Sequence, residues 1–256
     1  MVKNQINSWE VQLIGTNDSS LGFYIELMRL QTSRKKGWDK LGHLMMLLNE
    51  LKRAEELYKV LLESTDAGDK KEMIRLCDIL GTIKFKNGSY EEASLFFEKK
   101  LQIQQNFLAG NHPDLASTYY AIGVANSKMG KLENALSAYR KALEIQENIF
   151  PSNYPDLAIT YDNIGTINDK MGNHLIALSF HEKALQINEK VLPAYHLDLA
   201  INYNNLGGIY KFMGNYLKAL HFFQKVVHIR ETISSSDDPD LATAYDNIGG
   251  VYQDMK

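Results

Sequence analysis

The sequence predicts an all-α solenoid of antiparallel helix pairs, and three observations predict it. A tetrapeptide returns at a fixed 42-residue step: Pro113-Asp114-Leu115-Ala116, Pro155-Asp156-Leu157-Ala158, Leu197-Asp198-Leu199-Ala200 and Pro239-Asp240-Leu241-Ala242. Glycines keep the same beat, at Gly81, Gly123, Gly165, Gly207 and Gly249, and again at Gly88, Gly130, Gly172 and Gly214. Between these marks the apolar residues fall at helical spacing. A fixed period of this length belongs to units that bury an apolar face only by stacking on their neighbours, and such a stack builds a surface rather than a pocket.

The elements follow in order. Over residues 1–34, Trp9, Val11 and Leu13 alternate with Glu10 and Gln12, which predicts a strand. Turn chemistry from Gly15 to Ser20 comes next, then an amphipathic helix through Leu21, Tyr24, Ile25 and Met28, making a short β-α segment. Further on, one unit shows the plan of all. From Pro113 to Met129, Leu115, Tyr119, Ile122, Gly123 and Ala125 mark one helix, with Pro113 suited to its first position and Asp114 to the positive end of its dipole. Gly130 is the expected left-handed cap. A longer second helix follows through Leu132, Ala135, Leu136, Tyr139, Ala142, Leu143, Gln146 and Ile149, and Phe150 to Asn153 closes the unit.

The spacing within the unit resembles the tetratricopeptide repeat, whose pattern is an aromatic, two residues, Leu-Gly, two residues and Tyr, then Ala with an aromatic four later. It is met as Trp38, Leu41-Gly42, Ala54 and Tyr58; as Cys77, Leu80-Gly81, Ala93 and Phe97; and as Tyr119, Ile122-Gly123, Ala135 and Tyr139. It continues as Tyr161, Ile164-Gly165, Ala177 and His181, then as Tyr203, Leu206-Gly207, Ala219 and Phe223, then as Tyr245, Ile248-Gly249 and Tyr252. The resemblance implies a right-handed α-solenoid with repeats at 35–73 (degenerate), 74–115, 116–157, 158–199 and 200–241, and a first helix alone at 242–256. The 42-residue length is similar to that of kinesin light chains. The step from Gly42 to Gly81 is shorter than the later ones, and Lys100 stands where Ala142 and Ala184 stand, which reads as an atypical capping end.

Composition narrows the function. The chain has 256 residues, 45% apolar and 23% charged, so it is globular; a net charge of −3 gives no field that would seek nucleic acid or an acidic membrane. A lone Cys77, the lack of a membrane-length apolar run and a polar start predict a cytoplasmic protein. His174 and His181, like His221 and His228, share helix faces but lack zinc spacing, and Asp237-Asp238-Pro239-Asp240 lacks the rest of a calcium loop. No nucleophile sits beside a base in a recognisable motif. The expectation is a non-catalytic scaffold or adaptor, without cofactor or metal, whose concave groove binds an extended peptide or a partner helix. The alternative is a regulatory or substrate-recruiting portion of a longer enzyme, such as one with an ADP-ribosyltransferase domain upstream.

The binding surface follows from the core stripe. The opposite stripe of each first helix must face inward, which presents Tyr120 and Lys128, then Asp162, Asn163 and Lys170, then Asn204, Asn205 and Lys211, then Asp246 and Asn247. Asn163, Asn205 and Asn247 recur at one position despite a poor helix propensity. Two roles fit: an amide ladder for the backbone of an extended peptide, or bonds between neighbouring helices that hold the repeat spacing. The positions that grip a C-terminal carboxylate in chaperone-docking relatives carry Asp162, Thr166, Asn205, Thr243 and Asn247, so that function is not expected. After Met255 the pattern stops, so Ile248, Val251 and Tyr252 are expected to leave an apolar edge open to self-association, or to a continuation of the chain.

Overall fold

The computed structural model describes residues 34–151, 154–233 and 238–256. The strand and helix expected before Arg34 lie outside these residues. Among them all regular structure is helical, and each unit consists of consecutive helices packed in pairs. The chain forms two compact units, one ending at Phe107 and the other beginning at Leu108.

The first unit holds α1 (Arg34–Leu47), α2 (Leu51–Ser64), α3 (Lys70–Lys86) and α4 (Tyr90–Gln105). Its core gathers Leu41, Met45, Leu57, Tyr58, Leu76 and Leu80, with Trp38 packed against it. The α1–α2 turn breaks the glycine beat, and Asn49 takes the left-handed place with a φ of 61°, a conformation Asn tolerates. Lys84 is only 8% exposed and bridges three helices, its Nζ 2.8 Å from Glu55 of α2 and 2.6 Å from Glu92 of α4. Burial alone would raise the Glu55 carboxyl; hydrogen bonds from Lys59 and Lys84 outweigh it and hold the group below its ordinary value. Lys100, which replaces the alanine of later repeats, extends to Asp78 at 2.7 Å, so the departure from the pattern carries its own counter-ion.

The second unit holds α5 (Pro113–Lys128), α6 (Leu132–Ile149), α7 (Pro155–Lys170), α8 (His174–Val191), α9 (Leu197–Phe212), α10 (Tyr216–Ile233) and α11 (Pro239–Asp254). Prolines open α5, α7 and α11, where the missing N–H is no loss. The caps differ from helix to helix. Nδ1 of His112 and of His196 accepts from the backbone N–H two residues on, at 3.1 Å each, and Asp238 does the same at 2.9 Å. Gly130, Gly172 and Gly214 turn each hairpin at φ between 73° and 80°.

Each hairpin is closed by one contact. A Cβ added at Gly123 would lie 2.7 Å from the Tyr139 ring, at Gly165 2.8 Å from His181, and at Gly207 2.7 Å from Phe223. Gly42 and Tyr58, and Gly81 and Phe97, repeat this in the first unit, the ring always coming from the helix that follows the glycine. The glycine therefore sets how closely the helices approach, and the ring fills the space beside it. Ala135, Ala177 and Ala219 are fully buried at the same crossings. On α11, Val251 is fully buried rather than part of an apolar edge, Ile248 is half-buried, and Tyr252 alone of the three is exposed.

Candidate functional site

The first helices of the second unit, α5, α7, α9 and α11, meet side by side through side chains on the stripe expected to face inward. Asn163 donates through Nδ2 to the Tyr120 hydroxyl at 3.0 Å and to the Ile159 carbonyl at 2.9 Å. One hairpin on, Asn205 donates to Asp162 at 3.2 and 3.4 Å, and after that Asn247 donates to Asn204 at 3.0 Å. The rule is constant: the amide reaches back 43 residues to the preceding first helix. The asparagines thus take the inter-helix role. Each spends its NH2 on it, and among the described residues no hydrogen bond engages the Oδ1 of these half-buried side chains.

Asp162 is the hub of a polar network that sequence reasoning missed. His181, 2% exposed in a slot filled elsewhere by Tyr or Phe, places Nδ1 2.7 Å from Asp162 Oδ1. Asn202, buried where sister repeats have Thr118 and Thr160, donates to the same oxygen at 3.1 Å and accepts from Asn188 at 2.7 Å. The network ties α7, α8 and α9 together. The visible signal was two residues: His181, where neighbouring units carry Tyr139 and Phe223, and Asn202, where they carry Thr118, Thr160 and Ala244.

A second ladder joins each first helix to the second helix of the hairpin before it. Tyr161 donates to Glu147 at 2.6 Å, Tyr203 to Glu189 at 2.8 Å and Tyr245 to Glu231 at 2.5 Å, always to a carboxylate 14 residues earlier. Lys183 stands over the Tyr161 ring at 5.3 Å and Lys225 over Tyr203 at 4.6 Å. Burial, and then the Glu189 carboxylate, push the Tyr203 phenol up to about 12. The same two causes raise Tyr161, and the Glu231 hydrogen bond raises Tyr245.

The other residues of that stripe divide by neighbourhood. Tyr120 leans on Tyr139 with ring centres 5.5 Å apart; burial raises its phenol and the Asn163 hydrogen bond opposes this. Lys211 turns onto Asp254 at 3.4 Å. Lys128, Lys170 and Asp246 are exposed. Ile159 and Ile201 stand out of the same stripe one turn before Asn163 and Asn205, about half exposed. Gly208 is exposed, and a Cβ there would meet nothing within 4 Å, so the helix offers bare backbone to whatever lies on it. Among the described residues no group of three or more His, Cys, Asp or Glu could hold a metal ion, and no helix is long and apolar enough to cross a membrane.

Comparison with known proteins follows the repeats. A family model described as tetratricopeptide repeat matches residues 76–148, 127–190, 156–232 and 198–256. Among solved structures, BtubC (BKLC) from P. vanneervenii is similar with a TM-score of 0.66 and 21% identity, over 80% of this chain and 81% of that one. A putative kinesin light chain of Podosopora anserina with nearly identical TPR-like repeats gives 0.62 and 20%, over 70% and 85%. MamA gives 0.57 and 21%, over 75% and 95%. No curated protein matches. At these identities the likeness is one of fold.

Proposed function

Because the chain belongs to the tetratricopeptide repeat family, we propose that its second unit holds an extended segment of a protein partner along the face of α5, α7, α9 and α11. The fold is that of an interaction scaffold. The finer reading rests on one observation: Asn163, Asn205 and Asn247 are fixed by their NH2 groups while their Oδ1 atoms are not engaged, so a row of pre-oriented acceptors is offered to backbone N–H donors. Helices pack about 8–10 Å apart and an extended chain rises about 3.3 Å per residue, so about three partner residues correspond to each step between packed helices. Ile159 and Ile201 supply apolar contact beside the acceptors, and Gly208 lets the partner backbone come close.

The test uses a random peptide library displayed on phage and selected on the 256-residue chain. Selected peptides should lose binding to Gly208→Leu, which fills the face without touching the core, while that variant melts no earlier than the parent. Asn163→Ala with Asn205→Ala should weaken the same peptides. Selected peptides that bind Gly208→Leu as tightly as the parent would sink the reading.

A further inference from the structure

The second unit has two unlike edges. One is formed by the turns inside its hairpins, the other by the loops between hairpins. At the turns lie Lys128, Lys131, Lys170, Lys211 and Lys218. Of the carboxylates there, Asp254 pairs with Lys211 at 3.4 Å, while Asp169, bonded by His174 at 2.7 Å, and Glu133 keep their charge against Lys128, Lys131, Lys170 and Lys218. Large apolar side chains stand out among the lysines: Phe212 is 71% exposed, Leu175 72% and Leu217 74%, with Met213 and Ile176 partly so. Phe212 rests on the His174 ring with centres 3.9 Å apart, which presents its outer face to solvent.

The opposite edge carries the reverse charge. Asp114, Asp156, Asp198 and Asp240 open the first helices, and Glu147, Glu189 and Glu231 close the second helices of the hairpins. The glutamates accept from tyrosine hydroxyls, which leaves their charge in place. Arg230 answers Asp238 and Asp240, Lys190 stands in the last turn of α8, and Lys183 and Lys225 lie over the rings of Tyr161 and Tyr203. This edge too is partly apolar, with Tyr154, Val191, Tyr195 and Leu197 each between 37% and 45% exposed. The helix dipole favours Asp at the openings and Lys at the ends of first helices, but it opposes Glu147, Glu189 and Glu231 at the ends of second helices. It also gives no reason for Phe212, Leu175 and Leu217 to face water.

We propose that the unit binds a second copy of this chain edge to edge, the lysine and apolar turns of one against the carboxylate and apolar loops of the next. Both surfaces of such a contact lie on the same molecule and are complementary in charge and in apolar content. The contact is heterologous, so it leaves one edge of each kind open and adds copies in a row rather than closing a dimer. It draws on Lys128 and Lys170 at the ends of the first helices, and not on the row of Asn163, Asn205 and Asn247.

Sedimentation velocity of the 256-residue chain up to about 100 µM, a range where weak contacts are populated, tests this at low and high salt. A ladder of species that collapses to monomer when the Debye length is cut to about 3 Å is expected. Phe212→Ser with Leu217→Ser should abolish it. So should Lys128→Glu with Lys170→Glu, and separately Asp156→Lys with Asp198→Lys, each checked for an unchanged helical spectrum. Mixing the two charge-reversed variants should restore association. A monomer at low salt overturns the proposal, as does association that survives in either charge variant or fails to return on mixing. Association lost to Tyr252→Ser but not to Phe212→Ser with Leu217→Ser would place the contact on α11 and overturn it. So would a monomer whose lysine edge binds phosphatidylserine vesicles.

Discussion

Asn205 reaches back 43 residues to Asp162 and lies 3.2 and 3.4 Å from its two carboxylate oxygens. This one contact joins the two roles that the recurring asparagine could have. The NH2 holds α9 against α7, and because it does so the Oδ1 cannot rotate away. Preorganisation of this kind removes side-chain entropy before any partner arrives.

Asp162→Ala should be the most damaging single change on that face. It strips the acceptor from His181 and Asn202, both 2% exposed, and leaves buried donors unsatisfied. The expected loss is about 3 kcal/mol, read as a thermal midpoint several degrees lower. Asp162→Asn keeps one acceptor oxygen and should fall between. A parent-like midpoint for Asp162→Ala would mean that the network does not stabilise the unit.

The tandem glycines of α9 should respond with opposite signs. Gly207→Ala drives a Cβ to 2.7 Å from the Phe223 ring and should cost about 1–3 kcal/mol by overpacking. At Gly208 a Cβ meets nothing within 4 Å, so Gly208→Ala should gain about 0.5–1 kcal/mol from the lower entropy of the unfolded chain. Urea midpoints of the two variants decide it; equal shifts would refute the crossing geometry.

In the first unit, Lys84→Met should cost about 2 kcal/mol, because Glu55 keeps Lys59 but loses its buried counter-ion. Adding Glu55→Leu should restore most of the loss. A double variant that is worse than Lys84→Met would show that the ion pair contributes more than its apolar replacement.

Alkaline melting should report the tyrosine ladder. The folded Tyr203 phenol titrates near 12 against about 10 when unfolded, so its contribution is complete below the unfolded value and is lost as pH rises toward 12. Tyr203→Phe should melt earlier than the parent by a constant margin up to about pH 10, and the margin should close above it. A margin that widens with pH has the wrong sign and would remove burial and Glu189 as the causes.

The hairpins were legible because their punctuation is local. Pro113, Gly130 and Ala135 act within one or two turns of where they stand, so reading them needs no tertiary information. The same reading missed Asn49, since a glycine beat marks the left-handed turn only where glycine fills it. The site was half legible. That Asn163, Asn205 and Asn247 share one stripe follows from the helix period, but which atom of Asn163 is occupied depends on where Tyr120 lies, and helix crossing decides that. The tyrosine ladder was within reach, because Glu147, Glu189 and Glu231 repeat at the 42-residue step. Their partners sit in the next hairpin, and a reading confined to one unit does not see them.

The short sequence reach of every joint has a kinetic consequence. Gly207 meets Phe223 of the very next helix, Glu189 meets Tyr203 across a single loop, and the asparagine bonds between hairpins span 43 residues. Little loop-closure entropy has to be met before a contact forms, which is the low contact order of fast folders. Any hairpin of the second unit can serve as the nucleus, and its neighbours add to it one at a time. Folding of this unit can therefore keep pace with synthesis, each hairpin docking on the one already made.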